Sequence, residues 1–226
     1  MSLFITGIGT GVGKTILTAG LAALLKSRGE SFCVYKPIQT GSPDPAHPED
    51  PEQVKAWVGA DVETACSYCF PDPVAPYAAD PERTIQPRKI LHDFKDLQKQ
   101  HRVVLVEGAG GIRVPVARHF EMVDLIRMLQ IPVVVAASAG LGTMNHTLLT
   151  VEALLAQRLD VKGVVISGYM PDNVEDPSMQ SLLSTLEPFL PVPILGTLPL
   201  FDLQGSTPFM KPAILEAFAS LQLIEN

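Results

Sequence analysis

The chain has 226 residues, 46% hydrophobic and 18% charged, a balance that suits a globular core and excludes a disordered polypeptide. A net charge of −7 argues against a nucleic-acid partner, whose phosphates demand a basic surface. The longest apolar run, Pro132 to Ala139, is too short to span a bilayer and no charged-then-apolar leader opens the sequence, so a soluble cytoplasmic protein without a membrane partner is expected.

Taken in order, the first element is a short apolar strand, Leu3 to Thr6, followed by Gly7-Ile8-Gly9-Thr10-Gly11-Val12-Gly13-Lys14-Thr15 and a helix from about Lys14 to Ser27. Strand, glycine-rich turn and helix are the context of a phosphate-binding P-loop. Backbone N–H groups of Gly9, Gly11, Val12 and Gly13 can turn toward an anion, and the helix N-terminus adds positive charge. Lys14 can reach terminal phosphates and the Thr15 hydroxyl can ligate Mg²⁺. The leading glycine is Gly7 where the common spacing would need position 8, so the loop is one residue longer than usual.

A second strand, Ser31 to Tyr35, delivers Lys36-Pro37-Ile38-Gln39-Thr40-Gly41 to its C-terminal end, where ligands sit in open α/β sheets. Beside a P-loop, Lys36 reads as a second anion clamp rather than a solvated lysine. Half of the 20 prolines fall between Pro37 and Pro87, marking a loop-rich region with one short helix near Glu52 to Val58. Its acidic cluster Glu49-Asp50-Pro51-Glu52 suits a helix N-terminus, or could present one carboxylate to a metal. Cys66 and Cys69 form a C-x-x-C, but no second pair or nearby His pair completes a zinc site. With Cys33, they read as partly buried thiols.

A helix of about Arg88 to Gln100 leads into the buried strand Arg102 to Glu107 and then Gly108-Ala109-Gly110-Gly111. The strand hands a carboxylate, Glu107, to the P-loop rim, where a partner for Mg²⁺ is needed. Asp124 lies in the first turns of a helix over 121–129 and is explained by the helix dipole. The strand Ile131 to Ala137 runs into Gly140-Leu141-Gly142-Thr143-Met144-Asn145-His146 and a helix to about Arg158. Thr143 and Asn145 there suit either a helix cap or contacts to an anionic ligand. A strand from Lys162 to Ser167, a helix from Met179 to Phe189, a strand opening at Ile194 and a helix from Lys211 to Leu223 complete the chain. The alternation predicts one domain over 1–226: a doubly wound, mainly parallel α/β sheet with helices on both faces, P-loop NTPase-like.

The lengthened P-loop, Lys36 to Gly41, Val106 to Gly111 and Gly142 to Thr147, in this order and spacing, resemble the dethiobiotin synthetase family over nearly the whole chain. The resemblance implies an ATP- and Mg²⁺-dependent cyclo-ligase of biotin biosynthesis. Its substrates would be 7,8-diaminopelargonate and CO₂ or bicarbonate. One amine captures CO₂ as a carbamate, the carbamate attacks the γ-phosphate, and the second amine closes the urea ring. By this resemblance Lys14, Lys36 and Thr10 act in catalysis, and Ser167 and Pro199 join the P-loop in binding nucleotide. Thr15, Asp50 and Glu107 would hold the metal. Thr40, Gly110 and Gly111, with Gly142, Thr143, Met144 and Asn145 across a homodimer interface, would bind substrate. Three departures stand out: Gly9 and Gly11 replace acidic side chains, Ser167 stands where an asparagine often reads adenine, and no tyrosine occurs near Ser181 to Ser184. The Ser167 departure implies weaker discrimination among nucleoside triphosphates. The rival readings are a partitioning-type P-loop switch ATPase and a cobyrinate-type amidating ligase; the former places an extra lysine where this chain has Gly9.

Overall fold

A computed structural model describes residues 2–170, 177–204 and 207–223. The chain runs β1 (Ser2–Gly7), α1 (Lys14–Ser27), β2 (Phe32–Thr40), α2 (Glu49–Val58), β3 (Thr64–Phe70), α3 (Pro76–Ala79), α4 (Pro87–Gln100) and β4 (Val103–Gly111). A small hairpin, β5 (Pro115–Ala117) and β6 (Phe120–Glu121), precedes α5 (Met122–Leu129), β7 (Val133–Ser138), α6 (Thr143–Ala156) and β8 (Val161–Ser167). The last elements are α7 (Pro177–Gln180), α8 (Leu182–Leu186), β9 (Ile194–Leu198) and α9 (Pro212–Ala219).

Seven strands form one sheet in the order β3-β2-β4-β1-β7-β8-β9, and each neighbouring pair is parallel. Side-chain alternation along the strands sorts the core into two layers. Leu3 and Ile5 of β1, Leu105 of β4 and Val134 of β7 meet Leu17 and Leu21 of α1, Val54 of α2 and Phe218 of α9. Phe4, Val104, Val106 and Val135 face the other way, onto Phe94 of α4, Ile126 of α5, Val151 of α6 and Leu182 of α8. The expected doubly wound sheet with helices on both faces is the architecture found. Among the described residues no helix is long and apolar enough to cross a membrane.

The differences from the sequence reading have local causes. β2 does not end at Tyr35 but continues through Pro37 to Thr40. Its pairing with β4 stops at Tyr35↔Val106, so the missing proline N–H breaks no rung on that side, and β3 carries the remainder. β3 itself, containing Cys66 and Cys69, is an edge strand half-buried throughout, and its T-A-C-S-Y-C-F sequence has no clean alternation. The helix expected over 179–189 is split into α7, α8 and a 3-10 turn at Glu187–Phe189 that contains Pro188. At the start of α5, Glu121 and Asp124 form a reciprocal capping box, which accounts for Asp124.

Asp80, which terminates α3 and is 3% exposed, organises the loop into α4. Its carboxylate accepts hydrogen bonds from the Ile85 N–H at 2.8 Å and from the Thr84 N–H and hydroxyl at 2.9 Å each. Burial pushes this carboxyl up, but those donors outweigh it and hold it below the usual carboxylate range. Asp80→Ala strands the buried Ile85 donor and is expected to cost about 1–3 kcal/mol in urea unfolding; Asp80→Asn, which keeps one acceptor oxygen, should cost less.

Candidate active site

The C-terminal end of the sheet carries a cleft of about 420 Å³ at the junction of the β1–α1 loop, β2, α2 and β4. The loop after Gly7 turns through Gly11 (φ 72°) and Gly13 (φ 94°), and Gly13 caps α1 in the left-handed conformation. Gly13 also lies directly against Ser167 at the end of β8: a Cβ there would sit 2.6 Å from the Ser167 Cβ. Ser167 is therefore brought to the P-loop, and its strand partner Leu198 places Pro199 on the same rim. Val12 turns its side chain into the core. Thr10 and Gly11 line the cleft opposite Gly110.

Lys14, the first residue of α1, is 6% exposed and donates to the Gly9 carbonyl at 2.7 Å. Burial, and then repulsion from Lys36, lower its ammonium pKa to about 8. Among the described residues it forms no ion pair, so this buried cation lacks a counter-charge of its own.

Lys36 has the opposite surroundings. It lies inside β2, 4% exposed, with its ammonium 2.9 Å from Glu107 Oε1 and 2.5 Å from Asp50 Oδ2. It also donates to the Gly108 carbonyl at 3.3 Å. Burial alone would lower this lysine, but the Glu107 and Asp50 carboxylates outweigh it and hold the ammonium above the usual lysine range. Glu107, 1% exposed, also accepts the Thr15 hydroxyl at 3.0 Å.

Asp50 arrives from the proline-rich loop because two side chains dock the first turn of α2 on β2. Ser42 Oγ accepts the Glu49 N–H at 2.7 Å, and Gln39 Oε1 accepts the Asp50 N–H at 3.3 Å. The acidic cluster is thus a helix N-terminus, and two of its residues, Glu49 and Asp50, also line the cleft. Gln39, Gln53 and Trp57 line the same space, and sequence reasoning had not singled them out. Gln39 stood inside the quoted Lys36 to Gly41 motif; Gln53 and Trp57 gave no signal beyond helical spacing.

The donor set fits Mg²⁺. Thr15, Asp50 and Glu107 supply hard oxygen donors in one place, and each carboxylate meets Lys36 through a single oxygen. Thr40 and Gly110 line the cleft, whereas Gly111 backs the loop, where a Cβ would lie 3.5 Å from the Gly7 carbonyl oxygen. Gly142, Thr143, Met144 and Asn145 open α6 beyond β7 and do not line this chain's own cleft. The Thr143 hydroxyl is turned back onto the Ser138 carbonyl, while Asn145 is exposed. The thiols are not activated: burial pushes Cys33 up to about 12 and Cys66 up to about 11.

Comparison with known proteins sets this geometry in a family. The chain matches the AAA domain family over residues 1–205. Among curated relatives it is 34% identical to the ATP-dependent dethiobiotin synthetase BioD of Bacillus thuringiensis (strain Al Hakam), covering 95% of this chain and 88% of that protein. The relative of the same name in Bacillus licheniformis is also 34% identical, with 99% and 95% covered. Solved structures with the same fold include the cell division ATPase MinD of Pyrococcus furiosus, with a TM-score of 0.61, 16% identity, and 97% of this chain and 96% of that chain covered. The ParA family ATPase of Chlorobium tepidum TLS gives a TM-score of 0.59 at 11% identity, with 99% and 98% covered. These two likenesses establish the P-loop α/β fold, and the sequence relatives carry the assignment further. A P-loop cleft with two buried lysines, on a chain one-third identical to these synthetases along nearly its full length, belongs to the ATP-dependent dethiobiotin synthetase family.

Proposed function

We propose that the protein makes dethiobiotin from 7,8-diaminopelargonate, CO₂ and ATP, closing the ureido ring in biotin biosynthesis in the cytoplasm. The observation that carries the reading is the pair of buried ammonium groups, Lys14 and Lys36, in one P-loop cleft. The difficulty of the reaction is electrostatic: an anionic carbamate must approach an anionic triphosphate. Cations fixed in the cleft reduce that repulsion without reorganising during the step.

In this account the triphosphate lies along the loop from Gly9 to Thr15, and its terminal phosphates supply the counter-charge Lys14 lacks. Lys36, fixed by Asp50 and Glu107, faces the carbamate. Thr10 and Thr40 donate hydrogen bonds to carbamate or phosphate oxygens. The carbamate oxygen attacks the γ-phosphorus and ADP departs. The second amine then attacks the carbonyl carbon of the mixed anhydride, expelling phosphate. The protein's work is positioning and charge neutralisation, with no nucleophile of its own.

Mg²⁺, held by Thr15, Asp50 and Glu107, would neutralise phosphate charge when bound. Ser167 and Pro199 would border the nucleotide base. Gly110 and Gly111 would approach the substrate through backbone, and Gly142 to Asn145 of a second copy would complete the diamine site in a homodimer. ATP turnover by the purified protein with Mg²⁺ and bicarbonate is expected to depend on added diaminopelargonate. Equal turnover without the diamine would contradict this reading and favour a switch ATPase.

A further inference from the structure

At the other end of the sheet from the cleft, the starts of three adjacent strands bring together a sulfur, a carboxylate and an imidazole. Cys33 is the second residue of β2, Glu63 immediately precedes β3, and His101 caps the C-terminus of α4 just before β4. Sheet pairing fixes their proximity: the Val34 N–H donates to the Glu63 carbonyl at 3.0 Å, and Cys33 stands opposite Val104 in the β2–β4 register. One donor atom from each residue lies within 4.8 Å of the other two. His101 Nε2 is 3.0 Å from Glu63 Oε1, and the imidazole side chain is only 10% exposed. Cys33 is fully buried, and among the described residues its thiol donates a long 3.6 Å hydrogen bond to the Val34 carbonyl.

We propose that Cys33, Glu63 and His101 form a zinc-binding site, with a water molecule in the fourth position. Thiolate, imidazole and carboxylate are the three ligand types zinc takes, and the sulfur disfavours Mg²⁺ and Ca²⁺. Around a tetrahedral zinc ion such donors stand about 3.3–3.6 Å apart, so the His101–Glu63 pair, now 3.0 Å apart, has to open slightly to admit the ion, while Cys33 Sγ already lies within 4.8 Å of both. Binding replaces the thiol S–H bond with an S–Zn bond and releases the proton to solvent. The His101–Glu63 pair uses two of the three donors, whereas a metal ion uses all three. The ion ties the starts of β2, β3 and β4 together, remote from the residues assigned to ATP. This inference does not rest on the proposed reaction.

The test uses the full chain, stripped with chelator and free of nucleotide, titrated with Zn²⁺ and with Co²⁺ as a spectroscopic probe. One ion per chain, a near-ultraviolet thiolate-to-cobalt band, and a Tm rise of about 5–10 °C at a 100-fold excess of Zn²⁺ over Kd are expected. His101→Gln and Cys33→Ser should each weaken Zn²⁺ binding by about 100-fold or more, since even the loss of a group that hydrogen-bonds to a ligand costs about 10- to 100-fold. The double variant Cys66→Ser with Cys69→Ser should bind as the parent does. No cobalt band in the parent, unchanged affinity in His101→Gln, or loss of the band in the Cys66/Cys69 double variant would overturn the site. His101→Gln keeps the test decisive if Cys33→Ser does not fold.

Discussion

Replacing Lys36 with methionine is expected to lower kcat/KM for ring formation by about 10²–10³, the effect of removing one preorganised charge donor, and to destabilise the fold by about 3–5 kcal/mol. The stability loss follows from geometry. Asp50 and Glu107 both lean on this one ammonium, and without it Glu107, 1% exposed, is a buried carboxylate with its counter-charge gone. Lys14→Met is expected to lower activity by a similar factor, about 10²–10³, through loss of its contact to the phosphates. Its effect on stability should differ in sign or be near zero. Lys14 is a buried cation without an ion-pair partner among the described residues, so methionine relieves a desolvation cost while keeping the apolar stem. Measuring both variants by steady-state kinetics and by urea unfolding without nucleotide separates the two roles. Equal destabilisation by both would mean that the charge balance of the cleft has been misread, and near-normal turnover of Lys36→Met would remove the two-lysine clamp.

Gly13→Ala should be nearly as damaging, for a steric reason. Gly13 holds φ 94° at the N-cap of α1, a left-handed conformation that costs an L-residue about 1–2 kcal/mol. An added methyl would also lie 2.6 Å from the Ser167 Cβ, so the loop or the end of β8 must move. A loop displaced by even 1 Å misplaces the phosphates, and turnover is expected to fall about 10²-fold. Ser167→Gly removes the steric half of the problem and leaves the strained φ. The double variant Gly13→Ala/Ser167→Gly should therefore recover part of the activity lost by Gly13→Ala alone. Additive losses would show that the two residues do not share this contact.

Much of this site was legible because its parts are local. The P-loop announces itself through Gly7 to Thr15, and Glu107 ends an apolar strand before a run of glycines. From its local sequence Asp50 was legible only as one of two alternatives, with the family resemblance favouring the metal, because its position depends on Ser42 and Gln39 gripping the first turn of α2. That is a tertiary contact within a proline-rich stretch of weak periodicity. β3 was missed for a related reason: as a half-buried edge strand it is held by pairing with β2 rather than by a hydrophobic pattern. The continuation of β2 past Pro37 was hidden because the cost of a proline depends on which neighbour has already stopped pairing. Cys33, Glu63 and His101 lie 30 or more residues apart, and only the sheet order β3-β2-β4 brings them together.

The central claim is most directly tested by product mass. The purified protein is supplied with ATP, Mg²⁺, ¹³C-bicarbonate and 7,8-diaminopelargonate, and the products are separated and weighed. The account predicts dethiobiotin carrying a single heavy carbon, with one ADP released per ring closed. ADP released at the same rate without the diamine, and no labelled ring product, would contradict it.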